Sequence, residues 1–342
     1  MAKSRPWKWG IIFGGDNLSM ADLLRYAGMA DAAGADSVWS VEVWRDAFVP
    51  LTAMAGVVRR ARLGTAIAQL ARPPWHTEMS AMSLAEVTDG RFVLGVGTGP
   101  PAWNADWHGL TLTKPVARMR EYLECIRAMW TSTPAHPVSY AGEFYRVRDY
   151  RRFMPAPAAP PPVYLAAVGP RMLRLAGARA DGWISGPLNT TEYMTTVVQP
   201  NLDKGRTAAG RAATGFERCV IKPCVVHEDA EHARDLARNA VALYAGALSY
   251  YDVVLDPMGF APATQAIRAA LQRGDVPGML DAVTEEMLDA LVVAGTPDDV
   301  RRQLLPWEGL CDLLLLYCPP SLTMEPAETR ANHEAIIAAF AG

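Results

Sequence analysis

The sequence has few of the features that mark membrane, secreted or nucleic-acid-binding proteins. No apolar run approaches the roughly 18 residues that a transmembrane helix needs. The N-terminal stretch 1–10 carries three basic residues but no apolar core behind them, so it does not resemble a signal peptide. The formal net charge of −3 provides no basic surface for nucleic acid. We therefore expect a cytoplasmic protein that binds neither membranes nor nucleic acids.

Cysteine and histidine are also sparse. The chain has five cysteines and six histidines, without a Cys-x-x-Cys pair or a His-Glu-x-x-His motif. The odd number of cysteines, placed mostly in apolar stretches, predicts buried thiols in a reducing compartment. The two closest histidines, His227 and His232, would lie about 140° apart on a helix. We therefore expect no bound metal.

The sequence is long and rich in apolar residues. It has 342 residues, of which 50% are hydrophobic and 20% are charged. Short apolar runs alternate with amphipathic stretches, which is typical of repeated βα units. Eight runs predict strands, at 7–13, 37–41, 62–68, 92–96, 163–167, 182–185, 219–227 and 312–317. The amphipathic stretches predict helices at 20–33, 51–60, 78–88, 116–130, 171–178, 192–210, 230–244 and 328–340.

This order predicts an α/β fold in which residues 1–342 form a single (β/α)8 barrel with insertions after strands 4 and 7. The first insertion, about 131–162, is too rich in proline for regular helix. The second, about 245–291, is largely helical, and Thr296-Pro297 then begins another helix. The alternative, an open doubly wound sheet, needs a phosphate loop near the start of the chain, and none is found.

A glycine-rich loop follows the fourth predicted strand. Gly95, Gly97 and Gly99 begin a dinucleotide-type pattern, but Pro100 and Pro101 come next. Two prolines should prevent the helix that such a motif requires, so we do not predict a dinucleotide fold. Gly97, Thr98 and Gly99 then either bring the backbone close to a ligand or form only a tight turn.

Two further strand ends carry candidate ligand contacts. After strand five, Ala167 and Val168 lead into Gly169-Pro170-Arg171, where a predicted helix begins and its N–H groups could bind a phosphate. After strand three, Ala68 and Gln69 follow an apolar run, and a polar Gln there could contact a heteroaromatic ring.

Candidate catalytic residues follow strands two and four, at the end of the barrel where barrel enzymes carry out chemistry. Glu42, Trp44 and Asp46 come after strand two, and His108 follows the glycine loop. Two tryptophans, Trp103 and Trp107, could form a wall for a flat ligand. The alternatives are a surface ion pair between Arg45 and Asp46, a packed Trp44 and a solvent-exposed rim.

Taken together, these stretches resemble the bacterial luciferase-like superfamily of flavin- and deazaflavin-dependent oxidoreductases over nearly the whole chain. The similarity lies in GADSVWSVE at 34–42, LAEVTDGRFVLGVGTG at 84–99, VYLAAVGPRM at 163–172 and VAGTPD at 293–298, with shorter matches at 63–66, 72–73, 117–122, 176–177 and 180–182. The stretches at 166–172, 198–202 and 205–211 are most similar to the branch that uses coenzyme F420, an 8-hydroxy-5-deazaflavin.

The resemblance implies a flat ring over the strand ends, bound by Ala68, Gln69, Gly97–Gly99 and Ala167–Arg171, with cofactor phosphate near the two glycine loops. It also implies a non-prolyl cis peptide after strand three, which we predict within Ala68-Gln69-Leu70. The glutamyl tail of coenzyme F420 would extend toward Arg171, Lys204 or Arg206. The resemblance is compatible with a homodimer.

The chain departs from this family at two positions that matter for proton transfer. Val43 stands where many members have His, and Pro100 stands where some have Glu. Glu42, Trp44, Asp46 and His108 are therefore only candidates. The sequence favours an F420-dependent oxidoreductase acting on a small molecule or peptide by hydride transfer. The alternatives are an FMN-dependent monooxygenase and a protein that binds the cofactor without chemistry.

Overall fold

The chain folds into a closed barrel of eight parallel strands, as a computed structural model describes it for residues 7–14, 17–212 and 214–341. The strands are β1 (Lys8–Phe13), β2 (Ser37–Ser40), β3 (Arg62–Thr65), β4 (Phe92–Gly97), β5 (Val163–Ala166), β6 (Gly182–Ile184), β7 (Glu217–Val226) and β8 (Leu313–Tyr317). Each pairs in parallel with the next, and β8 pairs with β1, so the sheet closes on itself. The predicted barrel is confirmed, and the open-sheet alternative is excluded.

Helices surround the barrel, and several begin with the local signals expected of them. Ser19 and Thr296 each form a capping box with an aspartate three residues later. The α-helices are Met20–Ala32, Phe48–Met54, Pro74–Val87, Pro101–His108, Pro115–Trp130, Pro170–Arg179, Thr191–Tyr193, Gln199–Ala208, Ala230–Ala247, Asp252–Leu255, Ala261–Gln272, Val276–Asp281, Glu285–Leu291, Pro297–Leu304 and Pro326–Ala339. A π-helical turn at Met194–Val198 and short 3-10 turns at Ser249–Tyr251 and Leu305–Trp307 complete the helical segments.

The helix at Pro101–His108 corrects the sequence interpretation, which held that Pro100 and Pro101 would prevent a helix. Pro101 occupies the first helical position, and Pro100 is extended (φ −63°, ψ 135°) as the N-cap. Proline is tolerated there because the missing N–H would have no partner within the helix. The glycine loop therefore does lead into a helix N-terminus.

Both insertions lie where they were predicted. The first contains an antiparallel hairpin, Val138–Ala141 with Arg146–Tyr150, which the sequence analysis did not predict. Its turn is anchored by the carboxylate of Glu121, which accepts the backbone N–H groups of Glu143 and Phe144. The second insertion is helical, as predicted, and returns to the barrel through a short strand at Val293–Gly295 that pairs with the end of β7.

The barrel interior is packed with side chains from all eight strands. Trp39 is its largest member, and Gly64 on the neighbouring strand leaves room for the ring, since a Cβ there would lie 2.4 Å from the ring of Trp39. The interior cluster is Ile12, Trp39, Ala66, Val93, Tyr164, Ile184, Cys219, Ile221, Leu313, Leu315 and Tyr317. The interior is thus a packed core and not a channel.

A polar cluster fills the N-terminal end of the barrel. The guanidinium of Arg62 lies 2.8 Å from the carboxylate of Glu217, and the hydroxyl of Tyr164 donates to the same carboxylate at 2.6 Å. Arg62 also donates to Tyr164, so each buried polar group in this cluster has a partner. Together with Trp39 above it, the cluster closes this end of the barrel.

The five cysteines are all buried and unpaired, as predicted. No helix among the described residues is both long and apolar enough to cross a membrane. The first six residues, which carry two of the three basic residues in the signal-peptide argument, lie outside the described part of the chain.

Candidate active site

Small residues form a shallow floor at the C-terminal ends of the strands, which we call the barrel mouth. The floor is built by Val41 after β2, Ala66 after β3, Gly97 at the end of β4 and Ala166 at the end of β5. Val41, Ile67 and Ala166 are half-buried and pack on the interior cluster from above. A Cβ on Gly97 would lie 2.4 Å from Cδ1 of Ile67 and 3.2 Å from Cβ of Ala166. The absence of a side chain on Gly97 therefore accommodates the side chain of Ile67, and the floor is formed by small and apolar residues.

The peptide bond between Ala66 and Ile67 is cis and non-prolyl. The resemblance predicted such a bond, but within Ala68-Gln69-Leu70, and that placement is wrong. Ala68 and Gln69 instead pair with Val96 and Gly97 as a short parallel strand, which requires extended trans backbone. The cis bond lies immediately before this pairing begins, at the edge of the floor.

Gln69 is buried beside the glycine loop. Its backbone and side-chain N–H groups have hydrogen-bond partners, but its side-chain oxygen has none. Its backbone N–H donates to the carboxylate of Glu42 at 2.7 Å, and its side-chain amide donates to the backbone carbonyl of Glu42. Its Oε1 has no partner and faces Gly99, whose Cβ would lie 2.3 Å away and whose φ is +67°. Asn104 likewise donates to the carbonyl of Thr98 while its own Oδ1 is unpaired. Unpaired buried acceptors beside an open loop fit a ligand that donates hydrogen bonds.

Two aromatic side chains anchor the loop after β5 through its backbone carbonyls. The indole of Trp183 donates to the carbonyl of Ala167 at 2.8 Å, and the hydroxyl of Tyr193 donates to the carbonyl of Val168 at 3.0 Å. Gly169 has φ −75°, and no atom lies within 4 Å of the position its Cβ would take. The space beside Gly169 is therefore open to a ligand.

Both loops end at a helix N-terminus on the same side of the barrel. Gly99 precedes the helix Pro101–His108, and Gly169 precedes the helix Pro170–Arg179, whose Arg171 is exposed. The two loops follow β4 and β5, which are neighbours in the sheet. The first N–H groups of a helix have no partner within it, so two adjacent N-termini form a favourable environment for an anion.

The carboxylates predicted after β2 are engaged with an arginine. Arg72 lies 2.8 Å from the carboxylate of Glu42 and 2.6 Å from that of Asp46, and its guanidinium stacks over the ring of Phe48. Burial raises the pKa of Glu42, although the Gln69 amide and the Arg72 guanidinium both act to lower it. Asp46 also accepts the backbone N–H of Phe48, at the start of a helix. We call Glu42, Asp46 and Arg72 the carboxylate–arginine cluster.

The other predicted residues lie on the rim of the mouth or away from it. Trp44 is 68% exposed, and His108 is exposed at the end of its helix. Trp103 and Trp107 stack on each other, with ring centroids 4.7 Å apart, and Trp107 is 51% exposed. The alternative surface pair of Arg45 and Asp46 is not present: Asp46 pairs with Arg72, and Arg45 donates to the carbonyl of Leu18.

The predicted contacts of a glutamyl tail with Lys204 and Arg206 are not supported by the structure. Their helix runs from the strand ends back along the barrel, and Arg206 lies over the ring of Phe216, just before the start of β7. Arg206 is therefore on the N-terminal side of the barrel, and Lys204 precedes it by two residues in the same helix. Arg171 alone of the three lies beside the mouth.

Two tyrosines at the mouth were not predicted from the sequence. Tyr317 is the last residue of β8 and faces the interior, where it is only 4% exposed. Its hydroxyl is hydrogen-bonded to that of Tyr244, which comes from the helix Ala230–Ala247. A polar residue at the end of an apolar strand run was the available signal in the sequence for Tyr317. Tyr244 gave none, because it lies within an amphipathic helix.

A cleft of about 640 Å³ lies at the opposite end of the barrel. It is lined by residues that include Lys8, Asp36, Arg218 and Asp312, and the last two form an ion pair. Barrel enzymes carry their active sites at the C-terminal end of the strands, so we assign this cleft no catalytic role.

The chain is similar to known proteins over most of its length. The family model described as luciferase-like monooxygenase matches residues 11–312. A 5,10-methylenetetrahydromethanopterin reductase of Archaeoglobus fulgidus is 32% identical over 87% of this chain and 89% of its own. A protein of Mycobacterium tuberculosis, provisionally named a coenzyme F420-dependent oxidoreductase, is 30% identical over 82% of this chain and 85% of its own.

Solved structures of the same fold include enzymes of both cofactor types. The coenzyme F420-dependent tetrahydromethanopterin reductase of Methanopyrus kandleri has a TM-score of 0.81, with 21% identity over 98% of this chain and 99% of its own. An FMN complex of the oxygenating constituent of 3,6-diketocamphane monooxygenase from Pseudomonas putida has a TM-score of 0.68, with 17% identity over 98% of each chain. At these identities, the two structures support the fold alone.

Proposed function

We propose that this chain, which belongs to the luciferase-like monooxygenase family, works within it as a coenzyme F420-dependent oxidoreductase. The observation that carries the proposal is the small-residue floor between the two glycine loops. When bound, coenzyme F420 supplies a hydride at C5 of its deazaflavin ring. The name of the Mycobacterium tuberculosis relative at 30% identity supports this cofactor over FMN.

The residues of the floor and loops would hold the cofactor in complementary ways. The ring would lie over Gly97, Ile67 and Ala166, and Ala68 and Gln69 would border it, with the unpaired Oε1 of Gln69 as an acceptor for a ring N–H. The loops Thr98–Gly99 and Ala167–Arg171 would bind the phosphate through backbone N–H groups and the charge of Arg171.

The predicted catalytic residues divide into two groups in this proposal. Glu42 and Asp46 are bound to Arg72, and we infer that they hold Gln69 and the start of the next helix in place. Trp44 and His108 are exposed on the rim, where they could contact the substrate. The substrate would be a small molecule or peptide with an activated C=C, C=N or C=O bond, or the corresponding reduced compound.

We expect the purified protein to bind coenzyme F420 with a dissociation constant at least about tenfold lower than that for FMN, a difference of about 1.4 kcal/mol. The phosphate sites alone would accept either cofactor, so the discrimination must come from the ring and from the tail near Arg171. The measurement is a fluorescence titration of the cofactor-free protein with each cofactor in one buffer.

Equal or tighter binding of FMN, together with oxygen consumption when reduced FMN is supplied, would replace this proposal with the monooxygenase function. Tight binding of coenzyme F420 with no turnover of any polar double bond would instead favour a protein that binds the cofactor without chemistry.

Replacing Gly169 with leucine should weaken coenzyme F420 binding about tenfold while changing the free energy of unfolding by less than about 0.5 kcal/mol. A side chain is compatible with the negative φ of Gly169 and meets no protein atom near its Cβ, so it would project into the space proposed for the phosphate. Fluorescence titration and thermal unfolding measure the two effects. A parallel loss of stability and binding would show that Gly169 serves the fold instead.

A further inference from the structure

Among the described residues, a pair of tyrosines at the barrel mouth packs in or on the interior cluster. Ala66 and Tyr317 lie in that cluster at the strand ends, and Val41, Ala166 and Tyr244 pack on it from the mouth. Only the two tyrosines among these carry an O–H group. The other interior tyrosine, Tyr164, donates its hydroxyl to Glu217 at the opposite end of the barrel.

The pair is linked to the protein surface by further tyrosines. The hydroxyl of Tyr317 is hydrogen-bonded to that of Tyr244, whose ring meets that of Tyr251 edge-on with centroids 6.4 Å apart. Tyr251 contacts Tyr250 at 4.5 Å between ring centroids, and Tyr250 is 38% exposed. The four residues therefore form a row of phenols from the barrel interior to solvent.

The two described carboxylates that follow β2 are poorly placed to donate a proton. Glu42 and Asp46 both contact the guanidinium of Arg72, and Glu42 also accepts the backbone N–H of Gln69. His108 is exposed at the far end of its eight-residue helix. Tyr317 lies in the same cluster as Ala66 of the floor, and its hydroxyl is hydrogen-bonded to Tyr244.

We propose that Tyr317 donates the proton that accompanies hydride transfer, and that Tyr244 positions Tyr317 and returns the proton to it. This inference rests on the proposed function. In the reduction of a C=O or C=N bond, the hydride supplied by the cofactor adds to carbon, and the electron pair of the π bond moves to the heteroatom. The heteroatom takes the proton from Oη of Tyr317, which then takes the proton of Tyr244, and solvent restores the proton of Tyr244.

The chemistry of a phenol suits this step. A phenol has a pKa of about 10, so it is protonated at neutral pH, yet it is a far stronger acid than the alcohol that forms. Burial raises the pKa of Tyr244, which keeps that residue protonated and able to donate to Tyr317. In the oxidation of an alcohol, the same pair accepts the proton in reverse.

The test compares Tyr317→Phe and Tyr244→Phe with Tyr26→Phe, a matched control. Tyr26 is also buried, but its hydroxyl reaches Glu334 in the outer helices. Reduced coenzyme F420 is oxidised anaerobically with cyclohexanone, 2-cyclohexen-1-one and 1-pyrroline as probes. The dissociation constant of the oxidised cofactor is measured by fluorescence for every variant.

We expect Tyr317→Phe to lower kcat at least about 100-fold, within the range for loss of a general acid, while KM and the cofactor dissociation constant change less than about threefold. Tyr244→Phe should lower kcat about tenfold and enlarge the solvent deuterium isotope effect, because return of the proton becomes slow. Tyr26→Phe should match the wild type.

Two results would overturn the assignment. In the first, folded Tyr317→Phe retains more than about a third of the wild-type kcat. In the second, its cofactor dissociation constant rises in proportion to the loss of rate, which would mean that the hydroxyl holds the cofactor. Failure of the proposed function is distinct from both, because the wild type itself would then fail to prefer coenzyme F420 over FMN.

Discussion

Replacing Arg72 with leucine is expected to lower the free energy of unfolding by about 3 kcal/mol at neutral pH. The substitution leaves two carboxylates, Glu42 and Asp46, without the cation that both contact. The side chain of Glu42 is only 15% exposed, so water cannot replace the lost partner fully. Removing one member of a buried ion pair costs more than the pair contributes, because an unpaired buried charge remains.

The loss should depend on pH in a defined direction. Burial already raises the pKa of Glu42 in the folded protein, and removing Arg72 removes an influence that lowers it. A carboxyl with a raised folded pKa binds more protons in the folded than in the unfolded state, so stability falls as pH rises between the two pKa values. The variant should therefore recover part of its stability as pH falls toward the unfolded value of about 4.3.

Urea unfolding of Arg72→Leu between neutral and mildly acidic pH measures this effect. The double variant Arg72→Leu/Glu42→Gln should lose most of the added pH dependence. Arg25→Leu is the matched control, because its ion pair with Glu334 is exposed and should contribute less than about 1 kcal/mol. If Arg72→Leu and Arg25→Leu lowered the free energy of unfolding by the same small amount, the carboxylate–arginine cluster would not stabilise the fold.

Replacing Gly97 with leucine should weaken coenzyme F420 binding at least about 100-fold, equivalent to about 2.7 kcal/mol, while the barrel still folds. The new side chain would rise from the floor between Ile67 and Ala166. The nearest atom to its Cβ is the end of the flexible Ile67 side chain, which can turn aside, whereas a rigid ring above the floor cannot.

Fluorescence titration measures the change in cofactor binding, and thermal unfolding measures the change in stability. Gly28→Leu provides the control, because Gly28 lies on an outer helix and only one side-chain atom approaches its Cβ, at 4.0 Å. If Gly97→Leu bound the cofactor as the wild type does, the ring could not lie over this floor, and the site proposed here would be misplaced.

The sequence was sufficient to predict the barrel because the elements that build it are marked locally. Each strand is a short apolar run, and Thr296-Pro297 carries a complete helix start in four residues. The hairpin of the first insertion was not predicted because its strands contain half-buried and exposed residues and no apolar run. Its turn also depends on a hydrogen bond to Glu121, which lies outside the insertion. The helix at Pro101 was missed because proline was taken as a helix breaker at the one position where it is tolerated.

The site was less predictable, because its contacts join distant parts of the chain. Glu42 could be singled out by its place after β2, but not its ion pair with Arg72, 30 residues away. Tyr244 and Tyr317 are 73 residues apart in the sequence. One lies in a helix and the other in a strand, so no single periodic pattern connects them. The glycine loops could be predicted because glycine at a strand end indicates a tight turn or a close approach to a ligand, whichever residues lie next to it in space.

The closed N-terminal end of the barrel has a kinetic consequence. With Trp39 and the ion pair of Arg62 and Glu217 below the floor, ligands have one entrance, at the mouth. Whatever lies on the floor must arrive first and depart last, and a second ligand can only be added above it. Loading is therefore sequential, and an excess of substrate analogue should slow the exchange of the molecule beneath it.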